Sequence, residues 1–490
     1  MKLFRELKGL NVRTEERGTK TQMVFSSFTF LFYFLPAFLL VYFLAPGAWK
    51  NTVIFSGSLI FYYYGVKDHP GYVLLMLASL AVNYTAAQCM GRCRRRSGRT
   101  RCMLAGMSWN IGCLFLFKYL DFVIDNVNLL LGRAGTGVQL SGAGLVLPIG
   151  ISFYTFQISS YLLDVYRKNI RAERSLLTLG TYLCMFPQLI AGPIVTYSHV
   201  QKQMAFRVHS FRNVEDGLRE FTIGLSLKVL IANKVGGLWT QVNSIGFESI
   251  SCPLAWLGIV AYTFQIYFDF YGYSLMAKGL GRMMGFDFPD NFRNPYQSRS
   301  MTEFWRRWHM TLGSWFREYV YIPLGGNRHH LYRNLFLVWM LTGLWHGASW
   351  NFVLWGCCIF VLILLEKRWF GGVLEKYPVA GHLYMMLVIP LSWLLFAVTD
   401  MGQVGLYMSR LFPFLGNTGQ AVFRGDFVKY GSACFWSLAA AALCCTGVPR
   451  KIYEEKKYTF TVTLVLVLLF WACVYCMYLG LDDPFLYYQF

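Results

Sequence analysis

The sequence predicts an all-α polytopic membrane protein, and three observations lead to this fold class. Of its 490 residues, 56% are hydrophobic and only 14% are charged, and the mean hydropathy is +0.40, so too little polar surface is present to solvate a globule of this size. Apolar runs long enough to cross about 30 Å of hydrocarbon recur along the chain. Basic residues cluster in the short loops between these runs, which is typical of cytoplasmic loops.

This placement also accounts for the net charge of +20, which comes from 45 Lys and Arg against 25 Asp and Glu. In a soluble protein such a charge would suggest a nucleic-acid partner, but short loops form no extended basic surface. We therefore expect membrane lipids as partners and no nucleic acid. The 13 cysteines are scattered and include Cys473 and Cys476 inside one apolar run, so we predict packing roles, with no disulfide and no zinc site.

The orientation of the first spans follows from residues 92–101, a loop with six arginines that we place in the cytoplasm. Spans are predicted before it at residues 24–45, 51–66 and 71–90. This count puts the start of the chain outside, whereas the basic residues 1–22 would prefer the cytoplasm. We interpret residues 1–22 as an extension and expect Met23 to begin the functional protein; the alternative is that residues 51–66 do not fully cross.

The remaining spans give a total of eleven or twelve crossings. They are predicted at residues 102–123, 145–163, 219–240, 254–276, 335–350, 351–366, 380–398, 430–447 and 459–480. Residues 176–195 lie between two basic loops and contain a proline and glycine motif, so we predict that they re-enter the membrane without crossing it. Residues 277–334 return to the cytoplasm, with nine Lys and Arg against four Asp and Glu.

Two histidines lie in apolar, tryptophan-flanked segments, where a titratable side chain is costly and suggests a functional site. Before His309, Ser300 and Glu303 form a capping-box pattern that predicts the start of a helix. Helical spacing then predicts one face shared by Thr302, Trp305, His309, Leu312 and Phe316. This segment fits an interfacial helix whose histidine has its hydrogen bonds made within the protein. It equally fits a site in which arginines bind an anionic donor, such as the phosphates of a coenzyme or of a carrier's prosthetic group.

His346 follows Gly343 and precedes Gly347, and both glycines permit close helix approach. With Trp345 and Trp350 walling the ring, a neutral imidazole here is suited to act as a general base toward a hydroxyl group, although a single buried histidine also fits a structural role. Sequence motifs of serine hydrolases, P-loop enzymes and zinc peptidases are absent. Neither histidine has a third ligand at helical spacing, so no metal site is predicted.

Five charged residues fall within or near the predicted spans. They are compatible with an ion path or with paired struts near span ends, and the sequence leaves both open. These residues are Lys118, Asp121, Asp164, Lys228 and Asp269.

From Met23 onward the chain resembles the membrane-bound O-acyltransferase (MBOAT) superfamily, in particular the bacterial alginate O-acetylase type, which is related to the D-alanyl transfer protein of teichoic acid modification. The motifs that carry this resemblance are LPIGISFYTFQ (147–157), FPQLIAGP (186–193), FDFYGYS (268–274), FWRRWH (304–309), YVYIPLGGNR (319–328) and LTGLWHG (341–347). Together they are highly specific, whereas each alone would be a modest signal. One departure is Leu275, where many relatives carry Asp, so an essential carboxylate is not expected there.

The resemblance implies an MBOAT domain over residues 23–490, with a catalytic core at about 145–366 and C-terminal helices at 380–490. Its helical bundle, with re-entrant and interfacial helices, surrounds a central funnel that has a histidine at its narrow point. The family's invariant histidine corresponds to His346, and a second, better-tolerated position corresponds to His309. Donor binding is assigned to Arg306, Arg307 and Arg317, and the funnel-lining candidates are Trp305, Trp345, Trp350, Asn351 and Gln188.

The implied function is transfer of an acyl group, most simply acetyl, from a cytosolic thioester such as acetyl-CoA to an extracellular polysaccharide across the cell (inner) membrane. His346 would be the general base, and His309 or Asn351 would steady the oxyanion; a covalent intermediate is left open. No bound cofactor is implied, and relatives usually work with an extracellular SGNH-type partner. The alternatives are D-alanyl transfer to teichoic acid and a non-catalytic conduit or transporter, for which we see no inverted repeats.

Overall fold

The computed structural model describes residues 23–190, 192–415 and 423–480, and these residues form helices and loops with no β-strand. The predicted all-α class is confirmed. Residues 1–22 and the last part of the predicted C-terminal region, residues 481–490, lie outside the described residues. The role of Met23 as the functional start therefore stays a prediction.

The first half of the described chain places helices at each of the predicted N-terminal spans. These helices are α1 (Thr29–Leu44), α2 (Lys50–Gly65), α3 (Gly71–Arg92), α4 (Arg96–Leu114, continued by the π-helical turn Phe115–Tyr119 and by Leu120–Arg133), α5 (Ile151–Arg167), α6 (Leu176–Cys184), α7 (Phe186–Leu189), α8 (Tyr197–Ala205) and α9 (Phe211–Ile245). Helix α4 extends ten residues beyond the predicted span at 102–123, into the segment that was expected to be a loop.

The second half carries the two histidine segments and the C-terminal helices. Its helices are α10 (Cys252–Met283), α11 (Met301–Arg307), α12 (Met310–Phe316, continued by the π-helical turn Arg317–Tyr321), α13 (Leu331–His346), α14 (Trp350–Lys376), α15 (Pro378–Ala397), α16 (Met401–Leu411), α17 (Asp426–Cys445), α18 (Val448–Lys456) and α19 (Phe460–Tyr478). Short 3₁₀ turns lie at Gly47–Trp49, Pro295–Gln297 and Pro413–Leu415.

Six of the described helices are long and apolar enough to cross a membrane by length and composition: α3, α9, α14, α15, α17 and α19. Helix α1 is apolar but shorter. The windows of α17 and α19 are only 6% and 17% buried inside the protein, which suits helices that face lipid. The chain is thus a multi-pass membrane protein, while the exact number of eleven or twelve crossings stays a prediction.

The segment predicted to re-enter the membrane has a broken backbone. Helix α6 ends at Cys184, Met185 is non-helical, and α7 lasts for only four residues. Its described residues from Leu179 to Val195 are buried. Irregular backbone at membrane depth survives where it is enclosed by protein, and this segment is enclosed. That residues 176–195 do not cross the membrane stays a prediction.

Among the described helices, α9 and α10 form the most extensive pair, and glycines at their crossing let the backbones touch. A Cβ added at Gly224 would lie 2.5 Å from the carbonyl oxygen of Gly272, and one added at Gly272 would lie 2.6 Å from that of Gly224. Small residues at such crossings are the usual means of packing helices in lipid. The Lys228 Nζ to Asp269 Oδ1 ion pair, 2.7 Å long with both side chains 2% exposed, also joins the two helices.

A second glycine contact positions His346. Helices α13 and α14 cross at Gly343 and Gly356, where an added Cβ would lie 2.4 Å from the Phe352 carbonyl oxygen and 2.5 Å from that of Trp339, respectively. The predicted close approach at Gly343 is confirmed. Because His346 ends α13 one turn after this crossing, its place in the bundle is fixed by backbone contact.

Candidate active site

His346 is buried among aromatic rings, with 6% of its surface exposed. Its ring centroid lies 4.9 Å from that of Trp345, 5.3 Å from Trp355 and 5.0 Å from Phe396, each in an edge-to-face arrangement. Trp345 therefore walls the imidazole as predicted. Trp350 does not, since it is 55% exposed and donates its indole N–H to Asn126 Oδ1.

The second histidine lies at a break between helices, and the predicted continuous helix through His309 is wrong. Ser300 does cap α11 by accepting from the Glu303 N–H, but α11 ends at Arg307 and α12 begins at Met310. His309, between them, adopts a left-handed conformation with φ 41°. Histidine is among the non-glycine residues that tolerate this region best.

Asn291 holds this break in place. Its backbone carbonyl accepts from the Met310 N–H, and its Oδ1 accepts from His309 Nδ1 at 2.9 Å and from the Thr311 hydroxyl at 2.9 Å. Its Nδ2 donates to Ser274 Oγ at 3.0 Å. The Thr311 N–H, which is only a donor, also faces Oδ1 at 3.4 Å and thus fixes the orientation of the amide.

This network assigns the tautomer of His309. A proton on Nδ1 leaves Nε2 of the neutral ring as an acceptor. Nε2 is buried and has no hydrogen-bond partner among the described residues. In its neutral form His309 therefore offers a lone pair, and it does not provide the N–H that an oxyanion donor would need.

Trp345 stands between the two imidazoles, with its ring centroid 5.9 Å from that of His309 and 4.9 Å from that of His346. Within the described parts of the chain, the buried indole N–H groups of Trp305, Trp345 and Trp355 have no hydrogen-bond partner. An unpaired buried donor costs about 1–3 kcal/mol. Such donors around two histidines are suited to pair with a polar atom of a substrate.

A large cavity of about 760 Å³ opens beside the two histidines. It is walled by α11, α12, α13 and the end of α14, and includes Trp305, His309, Leu312, Trp339 and His346. All five residues predicted to share a helix face line it, although the helix is broken, because both short helices border the same space. The cavity thus combines buried imidazoles with apolar walls.

Three exposed cations line the same cavity: Arg306 on α11, Arg317 after α12 and Lys367 on α14. None of them makes an ion pair or a side-chain hydrogen bond with another described residue. Arg307, which was predicted to bind the donor together with Arg306 and Arg317, is not among the lining residues; its guanidinium pairs with Glu303 at 2.6 Å on the same helix. Lys367 was not predicted as a site residue from the sequence.

The place of Lys367 is set by its neighbour Glu366. The buried Glu366 carboxylate accepts from the Met301 N–H at 2.5 Å and from the Thr302 N–H at 3.2 Å. It thereby satisfies the free N–H groups that begin α11, where a negative charge is favoured by the helix dipole. This contact ties the end of α14 to the histidine segment and brings Lys367 to the cavity.

A small cavity of about 100 Å³ lies on the other side of His346. It is lined by the start of α5 and the residues before it, by Lys118 of α4, by Ile190 of the broken segment and by Trp345. Because residues 92–101 are predicted to be cytoplasmic and the span 102–123 follows them, the loop before residues 147–153 is expected outside the cell. His346 is the one residue that lines both this cavity and the large one, within the described chain.

Two other predicted funnel residues lie outside both cavities. Asn351 is fully buried, but its Nδ2 donates to the Leu395 carbonyl at 3.0 Å and its Oδ1 accepts from the Ser349 hydroxyl. Gln188 is fully buried and donates to the Tyr182 carbonyl at 2.6 Å. The structure therefore gives both amides bracing contacts between elements.

The charged residues near the spans mostly act as struts. Asp121 accepts from the N–H groups of Ala143 and Gly144, and Asp164 accepts from Asn169 and Tyr319. Lys228 and Asp269 pair as described above. Lys118 differs, since it reaches the end of α13. No group of three His, Cys, Asp or Glu side chains that could hold a metal ion occurs in the described ranges.

Comparison with protein families matches residues 156–409 to the membrane-bound O-acyltransferase family, MBOAT. The chain is 36% identical to a probable alginate O-acetylase, AlgI, of Azotobacter vinelandii, over 89% of this chain and 86% of that protein. It is 33% identical to a peptidoglycan O-acetyltransferase of Helicobacter pylori, over 78% and 80% of the two chains. A teichoic acid D-alanyltransferase of Bacillus subtilis is 28% identical over 43% of this chain and 57% of that protein.

The structure is thus a multi-pass helical bundle that buries two histidines beside a large cavity. The chain belongs to the membrane-bound O-acyltransferase family. It is therefore an O-acyltransferase, and the predicted family is confirmed.

Proposed function

We propose that this enzyme O-acetylates an extracellular polysaccharide, taking the acetyl group from a cytosolic thioester such as acetyl-CoA, and that it resides in the cell (inner) membrane. The observation that carries the proposal is that His346 lines two separate cavities of about 760 and 100 Å³. A donor in the large cavity and an acceptor hydroxyl in the small one would meet at the same imidazole.

The large cavity suits a thioester whose other end carries phosphates. Arg306, Arg317 and Lys367 have no protein counterion in the described chain and lie on the side that the charge pattern places in the cytoplasm. Guanidinium and ammonium groups bind phosphate oxygens well. The apolar walls toward His309 and His346 would shield the thioester from water. Arg307, which pairs with Glu303, is not part of this proposal.

Direct transfer balances with His346 as the only base. His346 takes the proton of the acceptor hydroxyl while the hydroxyl oxygen bonds to the thioester carbonyl carbon. The tetrahedral intermediate then collapses and the C–S bond breaks. The thiolate leaves and takes up that proton from His346. The unpaired N–H of Trp345 is the better placed oxyanion donor, since His309 Nε2 is an acceptor and Asn351 is engaged with Leu395. His309 then has a positional role.

The acceptor in the small cavity is either the polysaccharide or a hydroxyl of an extracellular SGNH-type partner that completes the transfer. Similarity to the two O-acetylases covers most of this chain, and this supports acetyl transfer over D-alanyl transfer, for which the similar protein matches 43% of it. A non-catalytic conduit would not require an imidazole at the boundary between two cavities.

The test is transfer of radiolabelled acetyl from excess acetyl-CoA to the polysaccharide fraction, in membranes from cells that carry one variant as their only copy. His346→Ala should lower the rate by about 10² to 10⁴, the usual contribution of a general base. His309→Ala, with equal amounts in the membrane, should cost less. Substantial transfer by His346→Ala would refute the mechanism and leave a conduit for the donor as the remaining function.

A further inference from the structure

Helix α13 ends at His346, and its last carbonyl groups are bound by two adjacent side chains of α4. Lys118 Nζ donates to the Trp345 carbonyl at 2.5 Å and to the His346 carbonyl at 3.2 Å. The Tyr119 hydroxyl donates to the Leu344 carbonyl at 2.8 Å. Three successive carbonyls, including that of the histidine itself, are thus held from outside the helix.

The local geometry of α4 makes this double contact possible. Lys118 and Tyr119 lie in the π-helical turn Phe115–Tyr119, and such turns inside α-helices occur frequently at functional sites. Carbonyls at a helix C-terminus lack intrahelical partners, and the helix dipole favours a cation there. After His346 the backbone leaves the helix at once, since Gly347 is extended with φ −166°. External contacts therefore fix the orientation of the final turn.

The remaining contact of Lys118 is the weakest. Its ammonium has three N–H donors, and the third reaches Ser152 Oγ at 3.4 Å. Lys118, Ser152 and His346 all line the small cavity. Lys118 does not line the large cavity. It is therefore placed to affect His346 and the small cavity without touching a donor bound in the large one.

We infer that Lys118, assisted by Tyr119, is a positioning residue for acyl transfer: the two side chains hold the last turn of α13 so that the His346 imidazole stays at the boundary between the two cavities. The inference rests on the proposed function of His346. Displacing a reacting group by about 1 Å is enough to cost roughly 10²-fold in rate, so loss of this hold should appear in the transfer step and spare donor binding.

The test compares Lys118→Met, Tyr119→Phe, Leu116→Ala and His346→Ala in the full-length protein. Two quantities are measured: acetyl transfer to polysaccharide in membranes at excess acetyl-CoA, and the Kd of acetyl-CoA for purified, monodisperse protein. We expect Lys118→Met to lower transfer by about 10²-fold and Tyr119→Phe by about tenfold, each with Kd within about twofold of the wild type. Leu116→Ala, at an exposed residue of the same turn that lines neither cavity, should stay near the wild type.

Wild-type transfer by Lys118→Met, or an equal loss of transfer and of acetyl-CoA binding, would overturn the inference. If Lys118→Met does not accumulate in the membrane, Tyr119→Phe decides, because it removes a single hydroxyl; wild-type transfer by this variant would then overturn it. His346→Ala separates the two levels. Normal transfer by His346→Ala would refute the proposed function. An inactive His346→Ala together with a fully active Lys118→Met would overturn only the positioning role.

Discussion

Removing the exposed cations of the large cavity should weaken donor binding by a predictable amount. The change is Arg306→Gln combined with Arg317→Gln, and the matched control is Arg307→Gln, one residue further along α11. Arg306 and Arg317 line the cavity and have no described protein counterion, while Arg307 already pairs with Glu303 at 2.6 Å. Donor phosphates should therefore depend on the first two and not on the third.

The size of the effect follows from exposure. A charge-assisted hydrogen bond contributes about 1.5–3 kcal/mol when it is shielded, but exposed ion pairs are typically worth about 0.2–1 kcal/mol because solvent and salt screen them. Both arginines are exposed, so we take about 0.5–1 kcal/mol each. The double variant should then bind acetyl-CoA about 5- to 30-fold more weakly, since 1.4 kcal/mol corresponds to a factor of ten.

Calorimetric titration of purified protein at low salt measures this directly. Acetyl-CoA is compared with an acetyl thioester of N-acetylcysteamine, which lacks phosphates and should be insensitive to the double substitution. Raising the salt concentration should reduce the difference between wild type and variant. An unchanged Kd for acetyl-CoA, or an equal loss caused by Arg307→Gln, would show that the phosphates bind elsewhere.

Two further changes test the aromatic site and the helix packing. Trp345→Phe keeps an aromatic ring beside both histidines but removes the unpaired N–H. Transfer should fall by roughly 10²- to 10³-fold at unchanged acetyl-CoA affinity, as for loss of an oxyanion donor. Unaltered transfer would rule out this N–H as the donor. Gly224→Val places side-chain atoms where the Gly272 carbonyl lies, 2.5 Å from an added Cβ, so the yield of monodisperse protein should fall sharply. The control Gly237→Ala, in open space on the same helix, should not change this yield.

Several structural features near the candidate site could be predicted from local chemistry. The glycine beside His346 indicated a close helix crossing, and the basic residues Arg306 and Arg317 were expected near the donor; the structure brings both to the cavity. The broken segment near residue 185 was indicated by proline and glycine. The glycine and proline signals rest on residue types with specific backbone uses at membrane depth, whereas Arg306 and Arg317 are exposed and lie in the stretch predicted to be cytoplasmic.

The features that the sequence did not predict depend on partners distant in the chain. The helix through His309 is broken because Asn291, 18 residues earlier, holds its ring and the following N–H. Asn351 is kept out of the cavities by its contact with Leu395, 44 residues later. Arg307 is the exception, because its partner Glu303 lies only four residues earlier on the same helix. Lys118 was noticed as a costly charge, but its contact with α13 spans 228 residues of sequence. Periodicity carries no information on such tertiary hydrogen bonds.

The boundary between the two cavities has a consequence for permeability. Under the proposed function the enzyme has an opening toward each side and must still maintain the membrane potential, since each charge that leaks dissipates about 2.3 kcal/mol per 100 mV. In the described chain the two cavities share only His346, whose ring packs against Trp345, Trp355 and Phe396. The proposed function would let an acetyl group pass this point by covalent transfer, while the aromatic packing would oppose the passage of hydrated ions.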